Sequence, residues 1–213
     1  MYLFRNVLQG QELANLELVL STLPIDMPGI RLTGMGDDFS CLSEGGSINA
    51  IAAKLLGPMA KPVRAILFDK SVKTNWALGW HQDRTIAVAK RHEVEGFGSW
   101  STKAGIQHVE PPFFVFESMA TLRVHIDPVD ESNAPLLVLP GSHRMGRIEQ
   151  GNVAALASRI SSFACLAQAG DVWAYSTPIL HASNRATPPR RRRVLQIDYT
   201  ATDLPGGLEW RGI

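Results

Sequence analysis

Cysteine is nearly absent from this chain: Cys41 and Cys165 are the only two, too few for a disulfide framework and in keeping with a reducing compartment. An excess of one charge sign is missing too. Twenty-one Lys and Arg against twenty Asp and Glu leave a formal net charge of +1, so the broad basic footprint of a nucleic-acid binder is not there. No apolar run approaches the roughly 20 residues of a membrane span. The opening Met1-Tyr2-Leu3-Phe4-Arg5-Asn6 lacks the charged-then-apolar order of a signal peptide. The expectation is a cytoplasmic protein whose partner is a small molecule, with no nucleic acid and no membrane, and with its oligomeric state open. Nor is there an internal repeat or a low-complexity segment. What remains is an ordinary globular composition, 45% hydrophobic and 19% charged over 213 residues, which suits a single domain with one substantial core.

Punctuation by Gly, Pro and Asn divides the chain into a helical first quarter, residues 1–60, and a strand-rich remainder, residues 61–203. Apolar spacing predicts a helix over Gln11–Leu23, ended before Pro24. A second is predicted over Ser47–Leu56, with Ser47 as N-cap and Gly57-Pro58 as the stop. Strands are predicted at Val63–Phe68, Ala77–His81, Thr85–Ala89, Thr121–Asp127, Leu136–Leu139, Ser162–Ala167, Asp171–Tyr175 and Val194–Thr200, interrupted by one helix, Asn152–Ile160. About eight short strands after a helical lead-in fit a mainly β fold, a two-sheet jelly roll of the cupin type with the helices packed outside.

Three residues carry the chemistry. In Trp80-His81-Gln82-Asp83 the histidine and aspartate are two apart, so on a strand they share a face and can grip one ion; His181 lies far downstream in Leu180-His181-Ala182-Ser183. Two imidazoles and one carboxylate, with the other positions open, are the facial triad of non-haem Fe(II) oxygenases. A second His-x-Asp pair, His125-Ile126-Asp127, has the same spacing. Its face is shared with Arg123, and a guanidinium repels a cation, so the first pair is favoured.

The ordered series of short motifs resembles the phytanoyl-CoA dioxygenase family, in particular its short bacterial members. From about Val63 onward it runs through Phe68-Asp69-Lys70, Asn75-Trp76, Trp80-His81-Gln82-Asp83, Trp100-Ser101-Thr102-Lys103-Ala104-Gly105 and Leu122-Arg123-Val124-His125-Ile126-Asp127. It continues through Leu139-Pro140-Gly141-Ser142-His143-Arg144, Gly170-Asp171-Val172-Trp173, Leu180-His181-Ala182-Ser183, Arg192-Arg193-Val194-Leu195 and Leu204-Pro205-Gly206-Gly207-Leu208-Glu209-Trp210. The resemblance implies a double-stranded β-helix and an Fe(II)- and 2-oxoglutarate-dependent dioxygenase that uses O2 and releases succinate and CO2. It further implies iron on His81, Asp83 and His181, and the cosubstrate on an arginine of the last core strand. Family spacing of about eleven residues from the distal histidine selects Arg192 from the run Arg190–Arg193. Alternation agrees, since an apolar outer face of Arg193, Leu195, Ile197 and Tyr199 turns Arg192, Val194, Gln196 and Asp198 inward. Ser183, Lys70 and Asn75 match positions that give further cosubstrate contacts.

The departures from the family are informative as well. Where better-known members carry a tryptophan beside the cosubstrate, this chain has Arg123, which either assists 2-oxoglutarate, holds an acidic group of the substrate, or points out of the sheet. The chain is short for the family, so a CoA thioester substrate is not inherited with the resemblance. Halogenating relatives lack the carboxylate that Asp83 supplies, so hydroxylation is favoured, with desaturation, epimerisation and ring formation using the same ligands. Residues 90–112 read as a long loop, either a lid or a packed surface loop; as a lid its Arg91 and Lys103, with Arg123, predict a carboxylate-bearing substrate with an apolar body. The competing readings are a non-catalytic cupin-like binding module and a metal-dependent cupin enzyme that does not use 2-oxoglutarate.

Overall fold

A computed structural model describes residues 1–24, 27–34 and 37–213. Among these, the helices are α1 (Gly10–Ser21), α2 (Ser47–Leu56), α3 (Phe113–Glu117) and α4 (Gln150–Arg159). The strands are β1 (Tyr2–Phe4), β2 (Ile30–Leu32), β3 (Lys61–Lys70), β4 (Leu78–His81), β5 (Ile86–Val88), β6 (Gly98–Lys103) and β7 (Ile106–Glu110), followed by β8 (Met119–His125), β9 (Leu136–Val138), β10 (Phe163–Cys165), β11 (Val172–Ser176), β12 (His181–Ser183) and β13 (Arg192–Thr200). A six-stranded sheet in the order β1-β11-β8-β13-β3-β2 faces a four-stranded sheet in the order β10-β9-β12-β4, and a three-stranded sheet, β5-β7-β6, flanks them. All pairings are antiparallel, which is the jelly roll expected.

Strict alternation in the three central strands of the large sheet makes the barrel two-faced. Leu195, Ile197 and Tyr199 of β13, Ala65 and Leu67 of β3, and Leu122 and Val124 of β8 pack outward against Leu16 and Leu20 of α1 and Ile48, Ile51 and Ala52 of α2. The intervening residues turn inward, and Arg64, Ile66, Phe68 and Lys70 of β3 line a cavity with Arg192 and Gln196 of β13 and Arg123 of β8. Arg193, at the outward start of β13, pairs instead with Asp127 and with Glu17 of α1. A second core under the three-stranded sheet gathers Val88, Phe97, Val109, Phe116 and Leu208.

Two expectations need correction. Ser47 is the first residue of α2 rather than its N-cap; Gly46 takes that position, where a Cβ would collide with the backbone of Ser40 and Cys41, and the Ser47 hydroxyl donates to Glu12 of α1 instead. The 90–112 segment is not an irregular loop but carries the β6–β7 hairpin, whose strand β7 pairs with β5. The eight predicted strands and the helix over 152–160 all correspond to observed elements, with ends shifted by up to two residues.

Candidate active site

His81 on β4 and His181 on β12 are direct cross-strand partners, their ring centroids 4.2 Å apart. Each ring donates its Nδ1 hydrogen to the carbonyl two residues earlier, His81 to Gly79 at 2.8 Å and His181 to Ile179 at 3.0 Å. A carbonyl can only accept, so both rings are fixed in the tautomer that leaves Nε2 free as a ligand atom. Asp83 follows β4 and completes the group. Ligand atoms of the three residues all lie within 4.8 Å of one another, close enough for all three to turn toward one ion. Burial first, partly offset by Asp83, holds the His181 imidazole down to about 4, so it is neutral and ready to ligate at physiological pH. Burial alone would raise the Asp83 carboxyl, but Arg64, then His181 and His81, outweigh it and bring it to about 2.

Two residues that the sequence reading did not single out hold this triad in place. Gln82, between the ligands, points away into the protein; its amide nitrogen donates to Pro178 at 2.8 Å and Gly146 at 3.1 Å, and its oxygen accepts from the Ile148 amide at 2.9 Å. Arg64 donates Nη2 to Asp83 Oδ2 at 2.8 Å and Nε to Asp198, which is 1% exposed as a side chain and also accepts from Thr121 at 2.9 Å. The signal for Arg64 was its place at an even spacing from Lys70 on one strand. Burial, then Asp83, push the Asp198 carboxyl up against the opposing pull of Arg64. Arg64→Ala therefore leaves a buried carboxylate without its counter-ion, and we predict a loss of about 3–5 kcal/mol in urea unfolding of the metal-free protein. A carboxyl whose folded pKa lies above its unfolded value costs stability as pH rises through that interval, so the loss is larger at pH 8 than at pH 4.5. An equal loss at both pH values contradicts the assignment.

Past the triad, the same cavity of about 550 Å³ continues to Ser183, Lys70, Arg123 and Arg192. Lys70 Nζ donates to Ser183 Oγ at 2.9 Å and to the Asn184 carbonyl. Arg192 is 2% exposed and donates Nη1 to the Ala134 carbonyl, while its Nε has no hydrogen-bond partner. Arg123 is turned inward, donating to Gln196 Oε1 at 2.7 Å and stacking over Phe68 at 5.3 Å. Among the described residues none of these three cations has a carboxylate partner. Burial, and then each other's charge, lower Lys70 to about 7 and push Arg192 below its ordinary value. Three desolvated cations at one end of a cavity form a receptor for an anion.

The remaining expectations fall outside this set. Asn75 spends its amide on both backbone groups of Ala186 and does not line the cavity. His125 is buried with neither ring nitrogen bonded, and Asp127 is taken up by Arg193, so the second His-x-Asp pair does not assemble. Arg91 is exposed and paired with Glu93, whereas Lys103 does line the cavity.

A jelly roll with two histidines and a carboxylate on one inner face, next to an anion receptor, defines the non-haem iron oxygenase class. A sequence model of the phytanoyl-CoA dioxygenase (PhyH) family matches residues 42–194, and the chain belongs to that family. It is accordingly a 2-oxoglutarate-dependent oxygenase with Fe(II) as metal, 2-oxoglutarate as cosubstrate and O2 as oxidant. Solved structures of the same fold include AviO1 from Streptomyces viridochromogenes Tue57 (17% identity, 95% of this chain and 90% of that one, TM-score 0.65). EctD from S. alaskensis in its apoform matches at 17% identity, 100% and 76% coverage and a TM-score of 0.70; it is also known with 2-oxoglutarate and 5-hydroxyectoine. HygX from Streptomyces hygroscopicus with iron bound matches at 12% identity, 93% and 81% coverage and a TM-score of 0.62, and is also known with nickel and 2-oxoglutarate. A search of curated proteins found no significant match. Among the described residues no helix is long and apolar enough to cross a membrane.

Proposed function

We propose that His81 and His181 through Nε2, with the Asp83 carboxylate, hold Fe(II), that Arg192, Ser183 and Lys70 hold the distal carboxylate of 2-oxoglutarate, and that the enzyme hydroxylates a small carboxylate-bearing substrate with release of succinate and CO2. The observation that supports this most is the continuity of one cavity from the triad to three cations that, among the described residues, lack anionic partners. The donor set fits the ion: two imidazoles whose Nδ1 is turned to a backbone carbonyl and one carboxylate suit Fe(II), and three protein ligands leave coordination positions open. When bound, the iron supplies activation of O2 at the expense of 2-oxoglutarate oxidation. The chain's own residues orient and exclude. Gln82 and Arg64 keep the ligand side chains from rotating, the guanidinium of Arg192 offers its fork to a carboxylate, and the apolar wall of Ile66 and Phe68 limits water.

Anaerobic titration of the metal-free protein with Fe(II) and 2-oxoglutarate tests the proposal. We expect a visible metal-to-cosubstrate charge-transfer band and, on admitting O2, slow succinate formation even without prime substrate; a folded protein that shows neither would refute it. Lys70 adds a pH signature. Burial, Arg192 and Arg123 hold it near 7, so at pH 8 it is largely neutral until an anion arrives, and cosubstrate binding should then take up a proton. Calorimetry in two buffers of different ionisation enthalpy reads this uptake, which is expected at pH 8, absent at pH 6 and absent in Lys70→Met.

A further inference from the structure

The cavity is more cationic than iron and cosubstrate require. Among the described residues Asp83 is the single acidic side chain on its lining, against seven Lys and Arg. Arg64 is matched by Asp83 and Asp198, and Arg84 lies 4.0 Å from Glu110. Lys70, Arg123 and Arg192 sit together at the cosubstrate end. That leaves Arg31 and Lys103, which among the described residues form no ion pair, and the Arg31 Nε is buried without a hydrogen-bond partner.

Their place in the fold separates them from the cosubstrate. Along β3 and β13 the register pairs Lys70 with Arg192 at one end and Arg64 with Asp198 at the other, six residues and roughly 20 Å away at about 3.3 Å per residue. Arg31 on β2 is the partner of Ile66 and so shares its inward face near the Arg64 end. Lys103 ends β6 and donates to the Thr85 hydroxyl at 3.0 Å, two residues beyond Asp83. Two half-buried cations from different sheets thus converge on the side of the triad away from Arg192. Burial, then the charges of Arg31 and Arg64, lower the Lys103 ammonium against the weaker pull of Asp83, and burial followed by Arg64 lowers Arg31. Like charges held together out of water need an anion to offset them.

We propose that Arg31 and Lys103 form a subsite for an anionic group of the prime substrate, a carboxylate or a phosphate, whose apolar body lies along Ile66 and Leu78 toward the iron site. This rests on the oxygenase reading above and adds to it the place where the substrate is recognised. Arg123, which the sequence offered for this role, lies at the cosubstrate end instead, bonded to Gln196.

The test is a calorimetric titration, under anaerobic conditions with Fe(II) and saturating 2-oxoglutarate, of phenylacetate, phenyl phosphate and phenylacetamide. The cosubstrate blocks access of the anions to Arg192. In the wild type at least one anion is expected to bind tenfold or more tighter than the amide, and the tighter of the two anions identifies the head group. Arg31→Gln combined with Lys103→Gln should bring all three probes to within about twofold, while Arg31→Lys, which keeps the charge, should retain most of the preference. Equal binding of amide and anions in wild type, survival of the preference in the double variant, or loss of it in Arg31→Lys as complete as in Arg31→Gln, overturns the proposal. A wild type that gives no iron–cosubstrate band is a failure of the oxygenase reading instead. The same probes titrated into metal-free Arg192→Ala protein then still show whether Arg31 and Lys103 select anions.

Discussion

Replacing Arg192 with alanine is expected to raise the dissociation constant for 2-oxoglutarate roughly thirtyfold to several thousandfold, the range that corresponds to losing a desolvated charge pair worth about 2–5 kcal/mol. Arg192 is 2% exposed, and its Nε has no hydrogen-bond partner among the described residues. Iron binding is a separate matter, because the ligand atoms lie on β4 and β12. Nor should the metal-free protein lose stability: removing a buried guanidinium that has Arg123 and Lys70 as neighbours relieves repulsion. The prediction is thus a selective one, read by cosubstrate titration at fixed Fe(II) alongside thermal unfolding. An unchanged dissociation constant would transfer the role to Arg123 or Lys70, the other cations at that end of the cavity.

His81→Ala is expected to abolish the charge-transfer band and to reduce 2-oxoglutarate-dependent succinate release to background, whereas His125→Leu keeps both. The two residues begin the same three-letter motif and differ in what the fold does with them. His81 stands beside His181 with its tautomer set by Gly79. His125 lies on β8 with Val194 as its register partner, and burial, then Arg123 and Arg192, push its imidazole down to about 3. An apolar side chain of similar size is well tolerated where a buried ring has no hydrogen bonds to lose. Loss of the band in His125→Leu with its persistence in His81→Ala would reverse the assignment.

Why the barrel was readable, and parts of the site were not, follows from where each strand sits. The central strands β3, β8 and β13 are covered on the outside by helices and enclose the cavity on the inside, so their outward residues must be apolar and their periodicity is strong. Alternation on β13 therefore turns Arg192 and Gln196 inward, as its sequence implies. Strands β2, β6 and β12 gave no such signal. β2 and β12 have three residues each, and β6, Gly-Ser-Trp-Ser-Thr-Lys, is an edge strand whose half-buried and exposed residues follow no strict alternation, with a single large apolar residue. Asn75 failed as a cavity residue for a different reason: motif position cannot tell a side chain that faces a ligand from one that staples the neighbouring loop, and here both ends of the amide bond Ala186. Arg64 was missed because an arginine in an apolar strand suggests a surface position, and only the third dimension brings Asp83 and Asp198 onto it.

The residues proposed for the metal and the cosubstrate are borne by β3, β4 and the turn after it, β12 and β13, whereas Arg31 and Lys103 come from β2, at the margin of the large sheet, and from β6, at the margin of the three-stranded one. β2 and β6 have one neighbour each, as has β4, but unlike β4 they carry none of the residues proposed for the metal, so their sequence can drift without touching it. Reactivity and selectivity are in this way inherited by different parts of the chain. A library confined to residues 30–34 and 98–106 should retarget the enzyme to new substrates while the oxidising machinery, built on other strands, is carried along unaltered.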